Sequence, residues 1–183
     1  MKSILKSENK VGLEEDVALA ERIAKGDELA MDILYRRCAA QILTVCRRYA
    51  SDKEEALDLL HDGFLKVFEK IESYAGKSEL SVWVKRVIVN QAINTLRKKV
   101  KWESLETDVV DDEEEEWNEY PADPETLLGL IQELPTGYRM VLNLYVFEGL
   151  SHDEIAVQLE ISPVSSRTQL FKARRLLKKL WKS

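Results

Sequence analysis

Apolar side chains in the first part of the chain recur every three or four positions, and this spacing predicts α-helices with one buried face. The pattern is interrupted at residues 25–28, where Lys-Gly-Asp-Glu indicates a helix boundary. The expected inward positions around this boundary are Val17, Ala20, Ile23, Ala24, Leu29, Ile33, Leu34, Ala40, Ile42, Leu43 and Cys46. Two further stripes comprise Ala56, Leu59, Leu60, Phe64, Val67, Phe68 and Ile71, and then Val84, Val87, Ile88, Ala92 and Leu96. No strand-like alternation occurs, so the predicted fold class is all-α.

Helix-start and helix-stop residues divide the C-terminal part into four short helices. These start and stop residues are, in chain order, Asp123 with Pro124, Pro135, Gly149, Ser151 with Glu154, and Ser162 with Pro163. Ser151 and Glu154 have the spacing of a capping box, and Pro163 suits the first position of a helix that extends to about Leu180. In the N-terminal part, Ser51 or Asp52 is expected to cap the third helix, and Ser81 is expected to begin the fourth.

The negative charge of the chain is concentrated in one segment. The formal net charge is −6, but residues 101–125 alone carry one basic and 12 acidic side chains. Such dense like charge resists compaction and predicts an extended, flexible linker between two mildly basic parts. We therefore predict an N-terminal tail over residues 1–16, a helical domain over 17–100, the acidic linker over 101–125 and a second helical domain over 126–183.

The cysteines and histidines offer little chemistry. Cys38 and Cys46 lie on one predicted helix, roughly 12 Å apart, which is too far for a disulfide and indicates reduced thiols. No apolar run reaches membrane length and no signal-peptide pattern occurs, so we expect a cytoplasmic protein. His61 and His152 lie in different predicted domains, and no metal spacing, phosphate loop or nucleophile motif is present. We therefore expect no metal, no cofactor and no enzymatic activity.

The last two predicted helices have the spacing of a helix-turn-helix. The residues expected to pack inside it are Ile155, Ala156, Leu159, Leu170, Ala173 and Leu177. The residues expected to face DNA are Ser165, Ser166, Arg167, Gln169, Lys172, Arg174 and Arg175, the earlier ones towards bases and the later ones towards phosphates. After Glu160 the chain has seven Lys or Arg and no acidic residue, which favours DNA binding over a merely solvated helix.

The first predicted domain has a different basic surface, in which cations alternate with aromatic residues. Tyr74 and Trp83 flank a loop, and Lys85 and Arg86 follow on the fourth helix. Aromatic rings beside cations suit single-stranded nucleic acid, and an amide such as Asn90 suits a flipped base. Trp83 can equally be a core residue, and Asn90 can serve to bridge helices.

Three stretches resemble the extracytoplasmic-function (ECF) group of bacterial RNA polymerase sigma factors, in the sigma-70 family. Region 2.2 of that family is similar to DLLHDGFLKVFEKI, and regions 2.3 and 2.4 are similar to SYAGKSELSVWVKRVIVNQAINTLRKK. Region 4 is similar to LPTGYRMVLNLYVFEGLSHDEIAVQLEISPVSSRTQLFKARRLL, which is the most specific of the three. The resemblance extends from about Val17 to Leu180.

The resemblance implies partners and roles. Core RNA polymerase would be bound through its flap and the clamp helices of its largest subunit, the latter by Asp58, His61, Asp62 and Lys66. The promoter −10 element, with one flipped base, would meet Tyr74, Lys77, Ser78, Trp83, Lys85, Arg86, Asn90, Arg97 and Lys98. The last helix would bind the −35 element as duplex. An anti-sigma factor and a stress- or signal-responsive regulon are further implications.

The sequence departs from the family pattern at both surfaces. His61 and Asp62 stand where Gln-Glu is usual, and Ser165, Ser166 and Gln169 stand where Thr, Val and Arg are common. The −35 sequence itself therefore does not carry over from the family. Two alternatives are a free-standing helix-turn-helix regulator, which needs symmetric half-sites about 34 Å apart, and a helical enzyme with a DNA-binding domain, for which no catalytic constellation is visible.

Overall fold

The structure, a computed structural model, describes residues 2–100 and 123–182, with side chains from Gly12 onward in the first range. In chain order its helices are α1 Lys2–Ala24, α2 Glu28–Tyr49, α3 Lys53–Lys70, α4 Leu80–Arg97, α5 Pro124–Gln132, α6 Thr136–Val146, α7 His152–Leu159 and α8 Pro163–Trp181. A 3-10 turn over Ile71–Ser73 follows α3. These ranges contain no strand, which confirms the predicted all-α class.

The helices form two compact units. The first comprises Met1–Cys46 and Ala56–Ala92, and the second comprises Arg47–Glu55 and Ile93–Ser183. Most of the predicted acidic linker, residues 101–122, lies outside the described residues, so the domain boundaries drawn from the sequence stay a prediction. The predicted N-terminal tail overlaps α1, and its last residue, Asp16, is buried.

The core of the first unit follows the predicted helical period except at four expected inward positions, two of which, Ala24 in α1 and Ala40 in α2, are exposed alanines. Leu29 and Ile33 were expected to face inward, but they are 62% and 40% exposed. The stripe that α2 buries is one position out of phase with them and consists of Ala30, Leu34, Cys38, Ile42, Val45, Cys46 and Tyr49. Because successive residues of a helix are about 100° apart, a shift of one position turns a side chain from the core to solvent.

The two cysteines of α2 lie in this stripe. Cys38 and Cys46 are both buried and do not form a disulfide with each other, as their spacing predicts. Burial raises the pKa of the Cys38 thiol, because the thiolate would lose its hydration. Both side chains therefore act as small apolar core residues.

Helices α3 and α4 approach each other closely at Gly63. A Cβ atom at this position would lie 2.6 Å from Ile88 Cγ2, which is well inside van der Waals contact. Next to it, Phe64 packs against Tyr35 with ring centroids 4.7 Å apart. Gly63 thus lets α4 lie directly against the helix that carries the predicted polymerase-binding residues.

The second unit is organised around the buried guanidinium of Arg139, on α6. Its Nη1 donates to the carbonyl oxygens of Gln132 and Leu134, and its Nε donates to the carbonyl oxygen of Tyr49 at 2.8 Å. Burial lowers the pKa of Arg139 from its usual high value, and backbone carbonyls supply the hydrogen bonds that water would otherwise provide. This arrangement fixes the corner between α5 and α6.

The helix ends of the second unit confirm the sequence signals. Asp123 accepts a hydrogen bond from the Thr126 amide, and Ser162 accepts one from the Ser165 amide. Ser151 and Glu154 form the predicted capping box. Gly149 has a φ of 70°, a left-handed conformation that suits glycine after a helix. In the ranges described, none of the helices has the length and apolarity needed to cross a membrane.

The close approach at Gly63 generates a stability prediction. Gly63→Ala should lower the free energy of unfolding by about 1–3 kcal/mol, because the new methyl overlaps Ile88 and the helices must separate. Gly129→Ala is the matched control, since Gly129 lies in α5 and a methyl added there would have no atom within 4 Å. That change should raise stability by about 0.5–1 kcal/mol. Urea unfolding of both variants measures the two effects, and equal stability of the two would contradict the packing.

Candidate nucleic-acid interface

The turn before α8 is built by local backbone preferences. Glu160 has a φ of 58°, in the left-handed region, and ends α7. Ser162 then caps α8, and Pro163 takes the first helical position, where its missing N–H has no cost. The result is a short helix, a tight turn and a longer helix, which is the predicted helix-turn-helix.

The inward face of α8 differs from the prediction at three residues. Ser165, Ser166 and Gln169 were expected to face DNA, but they are 8%, 0% and 8% exposed. Ser166 shares the spacing of Leu170, Ala173 and Leu177, and so lies on the core face that those residues define. Their polar side chains suggested the surface, although the helical period already placed Ser166 inside. In this conformation the three residues do not present their side chains to DNA.

A histidine that sequence reasoning left without a role explains how Ser166 is accommodated. His152 Nδ1 lies 2.9 Å from Ser166 Oγ, and the His152 ring stacks on Tyr145 with centroids 4.8 Å apart. The Arg174 guanidinium lies 5.6 Å from the centre of the Tyr145 ring. Three helices of the unit, α6, α7 and α8, therefore meet through polar and aromatic groups. The sequence analysis predicted only the apolar packing between these helices, and not these polar and aromatic contacts.

The outward face of α8 is basic, as predicted. Arg167 and Arg175 are exposed, and Lys172 and Arg174 are half-buried. Exposed Lys178 and Lys179 extend this positive face through the last turns. Arginine can pair with guanine edges or phosphates, and lysine with phosphates, so the chemistry of this face suits duplex DNA.

In the first unit, residues 74–79 form a compact loop, here called the 74–79 loop. The Tyr74 hydroxyl donates to the Ser78 carbonyl at 2.6 Å, and the Tyr74 ring meets Trp83 edge-on with centroids 5.6 Å apart. Burial raises the pKa of Tyr74, which keeps its hydroxyl protonated as a donor. Gly76 has a φ of 65°. A hydrogen bond between two of its own residues thus closes the loop, and the Tyr74–Trp83 pair lies at its edge.

The remaining residues predicted for the −10 element are distributed over both units. Lys77 and Ser78 are exposed on the loop, and Arg86 and Asn90 are exposed on α4. Trp83 and Lys85 are half-buried. Trp83 is therefore neither fully buried in the core nor fully exposed for stacking. Arg97 and Lys98 belong to the second unit, where Arg97 forms an ion pair with Glu160. The structure brings together the loop and the start of α4, whereas Arg97 is the last residue of α4 and Lys98 follows it.

The predicted polymerase-binding residues share one face of α3. Asp58, His61 and Asp62 are exposed, and Lys66 is half-buried and bonded to Glu69. Among them lies Leu65, which is 68% exposed. Leu65 is thus an exposed apolar side chain surrounded by polar ones. The sequence analysis left Leu65 off the buried stripe of α3 and assigned it no role.

Two family models match the sequence, and they match in the expected order. Sigma-70 region 2 matches residues 34–101, and Sigma-70, region 4 matches residues 125–177. The first match contains α3, the 74–79 loop and α4, and the second contains α7 and most of α8.

The chain belongs to the sigma-70 family.

Curated relatives agree over nearly the whole length of this sigma factor. The RNA polymerase sigma-H factor of Pseudomonas aeruginosa is 29% identical, over 91% of this chain and 93% of the relative. The ECF RNA polymerase sigma-E factor of Haemophilus influenzae is 27% identical, over 88% and 93%. Among solved structures, the sigma factor RpoE of Bartonella quintana in complex with the anti-sigma factor NepR superposes with a TM-score of 0.48 at 19% identity, over 81% of this chain and 96% of that one. The chain is a sigma factor of the ECF group, a class of transcription initiation factors that are not enzymes.

Arg167 and Ser166 are adjacent on α8 but differ in burial, so substitutions can test their roles separately. Arg167→Ala should weaken binding to promoter duplex about tenfold with little change in stability, because Arg167 is exposed on the basic face. Ser166→Ala should leave DNA affinity within about twofold and lower the free energy of unfolding by about 1 kcal/mol, because it removes the contact with His152. Fluorescence anisotropy and urea unfolding measure the two quantities. A loss of DNA affinity in Ser166→Ala at unchanged stability would place Ser166 at the DNA instead.

Proposed function

We propose that this sigma factor binds core RNA polymerase, recognises the −10 and −35 elements of its promoters and initiates transcription of a stress- or signal-responsive regulon. The observation that carries the proposal is the presence of two chemically different surfaces in one chain. One is a self-bonded loop beside an aromatic pair, and the other is an exposed basic helix face. The first suits unpaired bases and the second suits duplex DNA.

The −10 element is proposed to bind at the 74–79 loop and the start of α4. Lys77 and Arg86 are exposed and can neutralise phosphates of an unpaired strand. Tyr74 and Trp83 offer aromatic surface for stacking, and Asn90 offers an amide on the same helix. A base extruded from the duplex needs such stacking and amide groups together.

The −35 element is proposed to bind along α8 as duplex. Arg167, in the second turn of the helix, is the proposed base contact, and Arg175 with Lys172 and Arg174 is the proposed phosphate set. Ser165, Ser166 and Gln169 are not part of this proposal, because they are buried.

Core polymerase is proposed to bind the exposed face of α3 with Leu65 at its centre. Asp58, His61 and Asp62 would form a polar rim around this anchor, against the clamp helices of the largest subunit. The polymerase flap is the proposed partner of the second unit, where Val146 is 48% exposed at the end of α6.

An anti-sigma factor is a further proposed partner. A protein that covers the same face of α3, including Leu65, would exclude core polymerase by simple competition. Affinity purification from cells in which the regulon is silent should recover such a partner. Constitutive transcription of the regulon, together with no partner in that purification, would contradict this part of the proposal.

The α3 face can be tested with a matched pair of variants. Leu65→Asp should weaken binding to core polymerase at least about tenfold, because it places a charge where apolar contact is proposed. Leu29→Asp is the control, since Leu29 is a leucine of similar exposure, 62%, on α2 of the same unit. It should bind core polymerase as the unmodified protein does. Equal affinity of both variants in a surface-binding assay would remove α3 as the docking face.

A further inference from the structure

The carboxylate of Asp16 is the most completely enclosed charged group among the described residues of the first unit. The function proposed above does not involve this side chain. Its side chain is 2% exposed. One oxygen accepts a hydrogen bond from Arg37 Nη1 at 2.7 Å, and the other accepts one from the Leu80 backbone amide at 2.7 Å. A buried carboxylate is stable only when both oxygens are satisfied in this way.

Leu80 is the first residue of α4, so Asp16 acts as an N-terminal cap from 64 positions away in the sequence. The first amides of a helix have no partner within it and carry the positive end of its dipole. The nearby serines do not cap Leu80: the Ser81 hydroxyl donates to Glu79 Oε2, and Ser78 Oγ contacts the Glu79 carbonyl. The position and direction of the start of α4 therefore depend on α1.

The 74–79 loop is fixed to the same part of α1 by a second contact. A Cβ atom on Gly76 would lie 2.8 Å from Val17 Cγ2, and Gly76 has a positive φ of 65°. Glycine is thus required both by the backbone conformation and by the proximity of α1. Two adjacent residues, Asp16 and Val17, hold the end and the middle of one loop.

We propose that Asp16 is a positioning residue for the capture of the unpaired −10 base. It does not touch DNA in this proposal. It sets the position of Trp83 on α4 relative to Tyr74 on the loop by holding the Leu80 amide, which lies between them in the sequence. This inference rests on the proposed function, because the loop is the proposed site of base capture. It assigns α1, which contributes no predicted DNA contact, a part in promoter melting.

The test uses the complete holoenzyme, assembled from core polymerase and the full chain. The probe is a fork-junction DNA, double-stranded upstream and single-stranded over the −10 element of a promoter mapped with this protein. Each single-stranded position is replaced in turn by an abasic residue. In the unmodified protein, one position should show a preference for the base over the abasic site of about tenfold or more. If no position shows any preference, the proposed function of the loop fails, whatever Asp16 does.

Asp16→Ala should reduce this preference about tenfold, because the Leu80 amide loses its acceptor and the loop its anchor. Asp16→Asn, which keeps the shape and one carbonyl oxygen but loses the charge, should give an intermediate loss and decides the question if Asp16→Ala does not fold. The control is Asp32→Asn, since Asp32 forms an exposed ion pair with Arg36 on α2 of the same unit. It should retain the full preference.

Hydrogen exchange of the Leu80 amide supplies a readout that general destabilisation does not move selectively. Exchange at Leu80 should accelerate in the Asp16 variants relative to the buried amides of α3 in the same molecule. Two results would overturn the inference. The first is accelerated exchange at Leu80 with an unchanged preference for the base, and the second is unchanged exchange at Leu80 when Asp16 is replaced.

Discussion

A single buried carboxylate determines how the first unit presents its loop. Asp16 joins α1, α2 and the start of α4 through hydrogen bonds of 2.7 Å to Arg37 and to the Leu80 amide. Its burial is compensated by a cation and a helix N-terminus, the two environments that stabilise a carboxylate most. The self-bonded 74–79 loop ends at this contact, and Trp83, which meets Tyr74 edge-on, lies one turn further along α4. The proposed recognition of unpaired bases would thus depend on Asp16, a residue far from the loop in sequence.

In the second unit, a buried cation has the corresponding structural role. Arg139 is enclosed by backbone carbonyl oxygens, including those of Gln132 and Leu134, and it fixes the corner that leads into the helix-turn-helix. Local caps then position α7 and α8, and His152 links them through Ser166. With the inward face occupied in this way, α8 can present Arg167 and Arg175 as a rigid basic surface. In both units, buried polar contacts orient the exposed surface that is proposed to bind DNA.

Features determined by neighbouring residues were predictable from the sequence. The caps at Asp123, Ser151 and Ser162 follow from local hydrogen bonding, and the all-α fold follows from the helical period. Side-chain polarity misled at Ser166 and Gln169, where the helical period and the surrounding packing prevailed.

Features determined by long-range contacts had no such signal. The bond from Asp16 to Leu80 depends on the packing of α1 against the start of α4. The phase error at Leu29 and Ile33 arose because two overlapping apolar stripes differ by one position, and only packing selects between them.

The charge distribution fits a protein that reads DNA at two places. The net charge of −6 arises in residues 101–125, so the surfaces proposed to meet DNA remain basic. The most direct measurement of the account is transcription of genomic DNA fragments by core polymerase with and without the protein, with the 5′ ends of the transcripts sequenced. The account predicts start sites that require the protein and share two separated upstream motifs. Identical start sites with and without the protein would contradict it.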